Sequence, residues 1–192
     1  MILASKSPRR QQILEESGFV LEIIPANVEE KSDKIIVENK IMDIANLKVV
    51  EIAKKFTQKY VLGADTVVLL GKEIIEKPKD EKDASKILRK LSGRCHEVIT
   101  GYSFVNFDRN IKLTGYEKTK VYFRELTDHM IDWYISTKEP MDKAGAYGIQ
   151  GKGAFLVERI EGDFFNVMGF PISNFIKNIE KINIKIDKLS EI

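Results

Sequence analysis

The sequence predicts an α/β protein built on a mixed sheet. Three observations predict it. Strand-like runs and helix-spaced apolar positions alternate along the chain. The most strand-like run, residues 60–70, is apolar nearly throughout, as in a strand covered on both faces. Two strand-like runs, 98–107 and 118–123, follow one another with no helix between them, which parallel crossovers alone would not allow.

The elements follow in order. Met1 to Ala4 is apolar and reads as a short strand. Ser7 can cap the next helix and Pro8 suits its first position, where a missing N–H costs nothing. Ile13 and Leu14 supply its apolar face, and Gly18 is placed to stop it. Residues 19–24 are β-prone and end at Pro25, and 27–31 is a polar, acidic loop. Between 35 and 56, Ile41, Ile44, Ala45, Ile52, Ala53 and Phe56 recur at three- and four-residue steps, one face of an amphipathic helix. Lys48 falls at the edge of that stripe, where a snorkelling lysine is the ordinary expectation. After 60–70, a turn at Gly71-Lys72 leads to Ile74 and Ile75. Asp80 with Asp83 begins a helix that runs to Leu91 and stops at Ser92-Gly93. Strands follow at 98–107 and 118–123, with a turn at 108–110. Thr127 caps a short helix through Tyr134, with Trp133 and Tyr134 read as core. Four glycines crowd 145–153, residues 154–160 read as a strand, and Pro171 opens a last helix to about 182.

The chain has 192 residues, 43% hydrophobic and 31% charged, with formal net charge +2, which suits one domain with a real core. No basic block dominates, so a nucleic-acid binder is not expected. No apolar run reaches the length of a membrane span and the N-terminus lacks a signal-peptide pattern. The single cysteine, Cys95, excludes an intrachain disulfide and fits a reducing compartment, so a cytoplasmic protein is expected.

Two stretches carry chemistry. Arg9 and Arg10 fall in the first turn of a helix, where the macrodipole and unpaired amides disfavour cations. An anion such as a phosphate would reconcile them; a pair of solvated surface arginines is the alternative. Gly63-Ala64-Asp65-Thr66 interrupts the 60–70 strand. A carboxylate flanked by Val61, Leu62 and Val67 through Leu70 is expected to be partly buried and to need a cation, a metal or a proton. The alternative is a tight turn with Asp65 exposed. Together the cations Arg9, Arg10, Lys48 and Lys77 and the carboxylates Glu30 and Asp65 are the parts that hydrolysis of a phosphate anhydride needs. There is no Walker A pattern and no dinucleotide fingerprint. His96 and His129 are not spaced as metal ligands, and Cys95 beside His96 reads as structural.

Five stretches resemble the Maf family of nucleoside triphosphate pyrophosphatases. They are Leu3-Ala4-Ser5-x-Ser7-Pro8-Arg9-Arg10, Gly63-Ala64-Asp65-Thr66-Val67-Val68, Glu76-Lys77-Pro78, Ser92-Gly93-x-x-His96-x-Val98-x-Thr100, and the run from Glu139-Pro140 to Gln150-Gly151. The resemblance extends from Leu3 to Pro171. It implies a single Maf-like domain over 1–192: an elongated mixed sheet flanked by helices, with two lobes around a central cleft, like the inosine-triphosphate pyrophosphatases. It implies metal-dependent cleavage of a nucleoside triphosphate to monophosphate and pyrophosphate with Mg²⁺ or Mn²⁺. By position, Asp65 matches the family's proton acceptor; Arg9, Thr66 and Gln150 match positions that set substrate choice; Arg10, Glu30, Lys48 and Lys77 match other residues of the cleft. Of these, Arg10, Lys48 and Lys77 are expected to bind phosphate and Glu30 to hold the metal. Ser-Pro-Arg-Arg, Gly-Ala-Asp-Thr and Gly-Ile-Gln-Gly are the forms of the branch acting on dTTP and UTP. A homodimer is expected by the same resemblance. Departures are modest: Glu29-Glu30 for Asp-Glu, Val49 for alanine and Phe170 for leucine. The rival expectation is a non-enzymatic, nucleotide-sensing regulator of cell division.

Overall fold

The computed structural model describes residues 1–192. Its strands are β1 (Ile2–Leu3), β2 (Glu22–Ile23), β3 (Val61–Leu70), β4 (Glu73–Ile75), β5 (Cys95–Asn106), β6 (Ile111–Phe123) and β7 (Val157–Glu161). Its helices are α1 (Pro8–Glu16), α2 (Val37–Ala53), α3 (Glu81–Leu91), α4 (Asp128–Ser136), α5 (Phe164–Met168) and α6 (Ile172–Glu180). The strands form one sheet in the order β2-β1-β3-β5-β6-β7, with β4 paired to β3. It is mixed, as expected: β1 runs parallel to β2 and to β3, whereas β3–β4 and β6–β7 are antiparallel. No helix is long and apolar enough to cross a membrane.

Two compact units divide the chain. The first contains Met1–Asp65, Thr100–Glu117 and Gly169–Ile192. Its core gathers Ile2, Ala4, Val49, Ile52, Val61 and Val105. Parallel pairing of Leu3 with Leu62 carries the segment leaving β1 to the stretch of β3 that holds Asp65. Helix α2 lies close over this unit's strands because two positions lack a side chain. A Cβ on Gly63 would stand 2.7 Å from Val49 Cγ2, and one on Gly101 would stand 2.8 Å from Met42 N. The second unit contains Thr66–Ile99 and Lys118–Met168. Its core is built on Val68, Leu88, Val98, Val121, Tyr134 and Leu156.

Several expectations are corrected. The strand at 60–70 is not interrupted: Gly63, Ala64, Asp65 and Thr66 lie inside ten continuous residues of β3, so the tight-turn alternative falls. The early strand shrinks to Glu22–Ile23, both exposed, while Phe19, at the start of the expected run, is buried outside the strand. The helix at 35–56 is trimmed to Val37–Ala53 and lacks a side-chain cap, leaving Ile35 95% exposed. Strand β6 starts at Ile111, well before 118, because an outward-facing polar half needs no apolar run. Residues 154–160 begin as the end of a 3₁₀ segment, Gly151–Leu156, and only then enter β7. Trp133 is 46% exposed; the buried face of α4 is Ile131, Tyr134 and Ile135, at the i, i+3, i+4 spacing that leaves residue 133 outside it.

Candidate active site

The first unit brings five of the expected residues together. Helix α1 starts as its residues dictate: Ser7 Oγ accepts from the Arg10 N–H, and Pro8 opens the first turn. Arg9 and Arg10 are both half-buried, so neither is a freely solvated surface arginine. Arg10 Nε donates to the Gly169 carbonyl at 2.9 Å and Nη1 donates to Ser5 Oγ at 3.2 Å. Burial lowers the Arg10 guanidinium from its ordinary pKa, opposed by the nearby Asp65 and Glu30 carboxylates, while Arg9 adds to the lowering. Two guanidiniums and two carboxylates therefore share one electrostatic neighbourhood.

Lys48 joins the acids. From α2 its Nζ lies 2.9 Å from Asp65 Oδ1 and 3.0 Å from Glu30 Oε2. The side chains of Lys48 and Asp65 are 11% and 16% exposed, whereas that of Glu30 is 56% exposed. Lys48 is thus a buried bridge between two carboxylates rather than a snorkelling lysine. The absence of side chains at Gly63 and Gly101 lets α2 come close enough to make that bridge.

No cluster of three or more acidic, histidine or cysteine side chains is present that could enclose a metal. The donor set nonetheless fits a hard divalent ion of the Mg²⁺ type, which is commonly held by one or two carboxylates plus substrate phosphates and water. Here Glu30 and Asp65 converge on one cationic position, held by the Lys48 ammonium.

The remaining three residues belong to the second unit. Thr66 is the half-buried residue following Asp65 in β3. Lys77 is exposed and lines a depression of about 300 Å³ of mixed charge, with Lys79, Lys86 and Lys90 beside Glu73, Glu76 and Asp83. Gln150 is half-buried in the glycine-rich loop that precedes the 3₁₀ segment Gly151–Leu156. Of the pair read as structural, His96 is buried, with Nε2 2.7 Å from Tyr147 Oη, but Cys95 is exposed.

A family profile described as Maf-like protein matches residues 1–182 of this chain. The chain belongs to the Maf family. A Maf relative from Fusobacterium nucleatum subsp. nucleatum, named dTTP/UTP pyrophosphatase, is 50% identical over 192 residues, covering 100% of both chains. Relatives of the same name from Pyrococcus furiosus and Bacillus cereus are 50% identical over 183 residues (94% of both chains) and 44% identical over 187 residues (97% of both). The solved Staphylococcus aureus Ham1 protein overlays 64% of this chain and 70% of its own, with TM-score 0.45 and 18% identity.

Two features of this Maf chain escape a sequence reading. Ser5 is buried, and its Oγ accepts from both Arg10 Nη1 and the Ser7 N–H, fixing the arginine over the cap. Its place two residues before the capping serine is the signal that was available. Glu139 organises the glycine-rich loop through side-chain-to-backbone bonds, which leave no periodic trace in the sequence.

Proposed function

We propose that this Maf protein is an enzyme that hydrolyses dTTP and UTP to the nucleoside monophosphate and pyrophosphate. The observation that carries the reading is the convergence of a buried lysine, two carboxylates and two first-turn arginines. The names of relatives up to 50% identical over the whole chain support the substrate class.

In this reading Asp65 accepts a proton from water as the water oxygen attacks the α-phosphorus. The bond from that phosphorus to the bridging oxygen breaks, and pyrophosphate leaves. Lys48 exchanges carboxylate partners for phosphate oxygens when the triphosphate enters, freeing Asp65 to act as the base. Arg9 and Arg10, at the positive end of α1, take up charge on the triphosphate. Arg9 also matches a position that sets substrate choice. Lys77 supplies a further cation to the phosphates. A divalent ion held by Glu30 and the substrate phosphates would neutralise phosphate oxygens and acidify the attacking water. Thr66 and Gln150 recognise the base; the Gln150 amide offers one donor face and one acceptor, matching an edge of uracil or thymine.

The test is pyrophosphate release from dTTP and UTP, against CTP and ATP, with Mg²⁺ or Mn²⁺ and with chelator. Preferential release from dTTP and UTP, lost on chelation, is expected. Tight dTTP binding without turnover under every metal condition would instead favour the nucleotide-sensing regulator.

A further inference from the structure

The second unit contains a clasp around the loop that carries Gln150. Tyr134, buried on α4, and Glu139, at the start of a 3₁₀ turn (Glu139–Asp142), meet with the Tyr134 hydroxyl donating to Glu139 Oε1 at 3.0 Å. The same Tyr134 oxygen accepts from the Gly148 N–H at 3.0 Å. Glu139 Oε1 also accepts from the Gly153 N–H at 3.2 Å, and Oε2 accepts from the Lys152 N–H at 3.1 Å. One side-chain pair thus holds both ends of residues 148–153, with Gln150 between them. Glycine is required at the closure: a Cβ on Gly153 would lie 2.2 Å from the Gly148 carbonyl oxygen and 2.6 Å from Tyr134 Oη. Lys143 Nζ donates to the Glu139 carbonyl at 2.6 Å, tying the backbone beneath the carboxylate as well.

A carboxylate accepting bonds from two backbone amides and a hydroxyl is a strong local constraint, because ionised acceptors make the stronger hydrogen bonds. Its two backbone bonds go to Lys152 and Gly153, at the start of the 3₁₀ segment Gly151–Leu156. We propose that Glu139, with Tyr134, is a positioning residue for nucleotide selectivity: the pair holds the 148–153 loop so that Gln150 presents its amide in one orientation. This rests on the reading of Gln150 as a base-recognising residue. An amide free to turn over would offer donor and acceptor interchangeably and discriminate poorly between uracil and cytosine edges.

The experiment has two arms, each on Glu139→Gln and Tyr134→Phe. Amide hydrogen exchange reports the clasp without reference to activity. Exchange at Gly148, Lys152 and Gly153 is expected to accelerate at least tenfold, with amides of β5 and α3 unchanged. Unchanged exchange at those three amides, or uniform acceleration across the second unit, overturns the clasp. The kinetic arm compares UTP with CTP. Both variants are expected to lose about tenfold in the UTP/CTP ratio of kcat/KM, mostly through KM for UTP, with kcat changed less than threefold. If Gln150→Ala lowers that ratio while the two clasp variants leave it intact, the positioning role is overturned. If Gln150→Ala itself leaves the ratio intact, the base-recognition reading of Gln150 fails, and with it the selectivity role; the exchange arm still decides whether the clasp holds the loop.

Discussion

Lys48 Nζ and Asp65 Oδ1 stand 2.9 Å apart, each on a side chain less than one-fifth exposed. Glu30 accepts from the same ammonium at 3.0 Å but is more than half exposed. The arrangement holds the candidate base in an ion pair until something more anionic arrives. Replacing Lys48 with methionine therefore leaves two carboxylates side by side, with the Arg9 and Arg10 guanidiniums as nearby cations. Removing one partner of a largely buried pair costs about 3 kcal/mol. Loss of a preorganised cation at the phosphates lowers kcat by about 10²-fold or more. Denaturant titration and pyrophosphate release measure the two effects. A fully active Lys48→Met would show that the ammonium serves the fold alone.

Asp65→Asn preserves shape and removes the proton acceptor. Because Glu30 continues to accept from Lys48, folding survives. General-base catalysis is worth about 10² to 10⁴ in rate, so kcat for dTTP should fall by at least about 10²-fold. The melting temperature should move little. Near-normal turnover by this variant would remove Asp65 from the chemistry.

His96 makes stability pH-dependent below neutrality. It is 1% exposed, packed edge-on against Phe123 and Tyr147, and burial lowers its pKa from 6.5 to about 4. The unfolded chain therefore binds a proton as pH falls through 6.5 while the native protein does not. Stability is full above 6.5, declines as pH falls, and stops declining below about 4. The loss from pH 7 to pH 5 is about 2 kcal/mol from this residue. Chemical denaturation of wild type and His96→Phe across that range checks it: the variant should lose correspondingly less. Parallel declines would show that other groups carry the effect.

What could be read from residue order alone follows physical locality. The start of α1 was legible because Ser7, Pro8 and the arginines are contiguous. The start of α3 was legible because the Asp80 carboxylate accepts from the N–H of Asp83, three residues on. Asp65 stood out as an acid embedded in an apolar strand, and the small residues before it signalled close approach. That the approaching partner is α2, and that Lys48 reaches across to Asp65, depends on residues 17 apart in sequence and on the packing of Gly63 against Val49. The exposed half of β6 was hidden because solvent tolerates any polar residue there. The role of Glu139 leaves no mark in residue order, since two of its partners are backbone amides, which nearly every residue possesses.

Gly63 is where packing and chemistry meet, and Gly63→Ala tests the link. The new methyl would stand 2.7 Å from Val49 Cγ2 and 3.4 Å from the Ala45 carbonyl, so α2 must lift or Val49 must shift. Overpacking of this kind costs about 1–3 kcal/mol. Lys48 immediately precedes Val49, so a lifted helix also draws the ammonium from Asp65, and misplacement by about 1 Å can cost as much as 10²-fold in rate. Adding Val49→Ala removes the clashing methyl. The double variant should be less destabilised than the sum of the single variants by about 1 kcal/mol, and should recover part of the lost kcat. Strict additivity in both stability and rate would mean that the spacing of α2 over β3 does not set the position of Lys48.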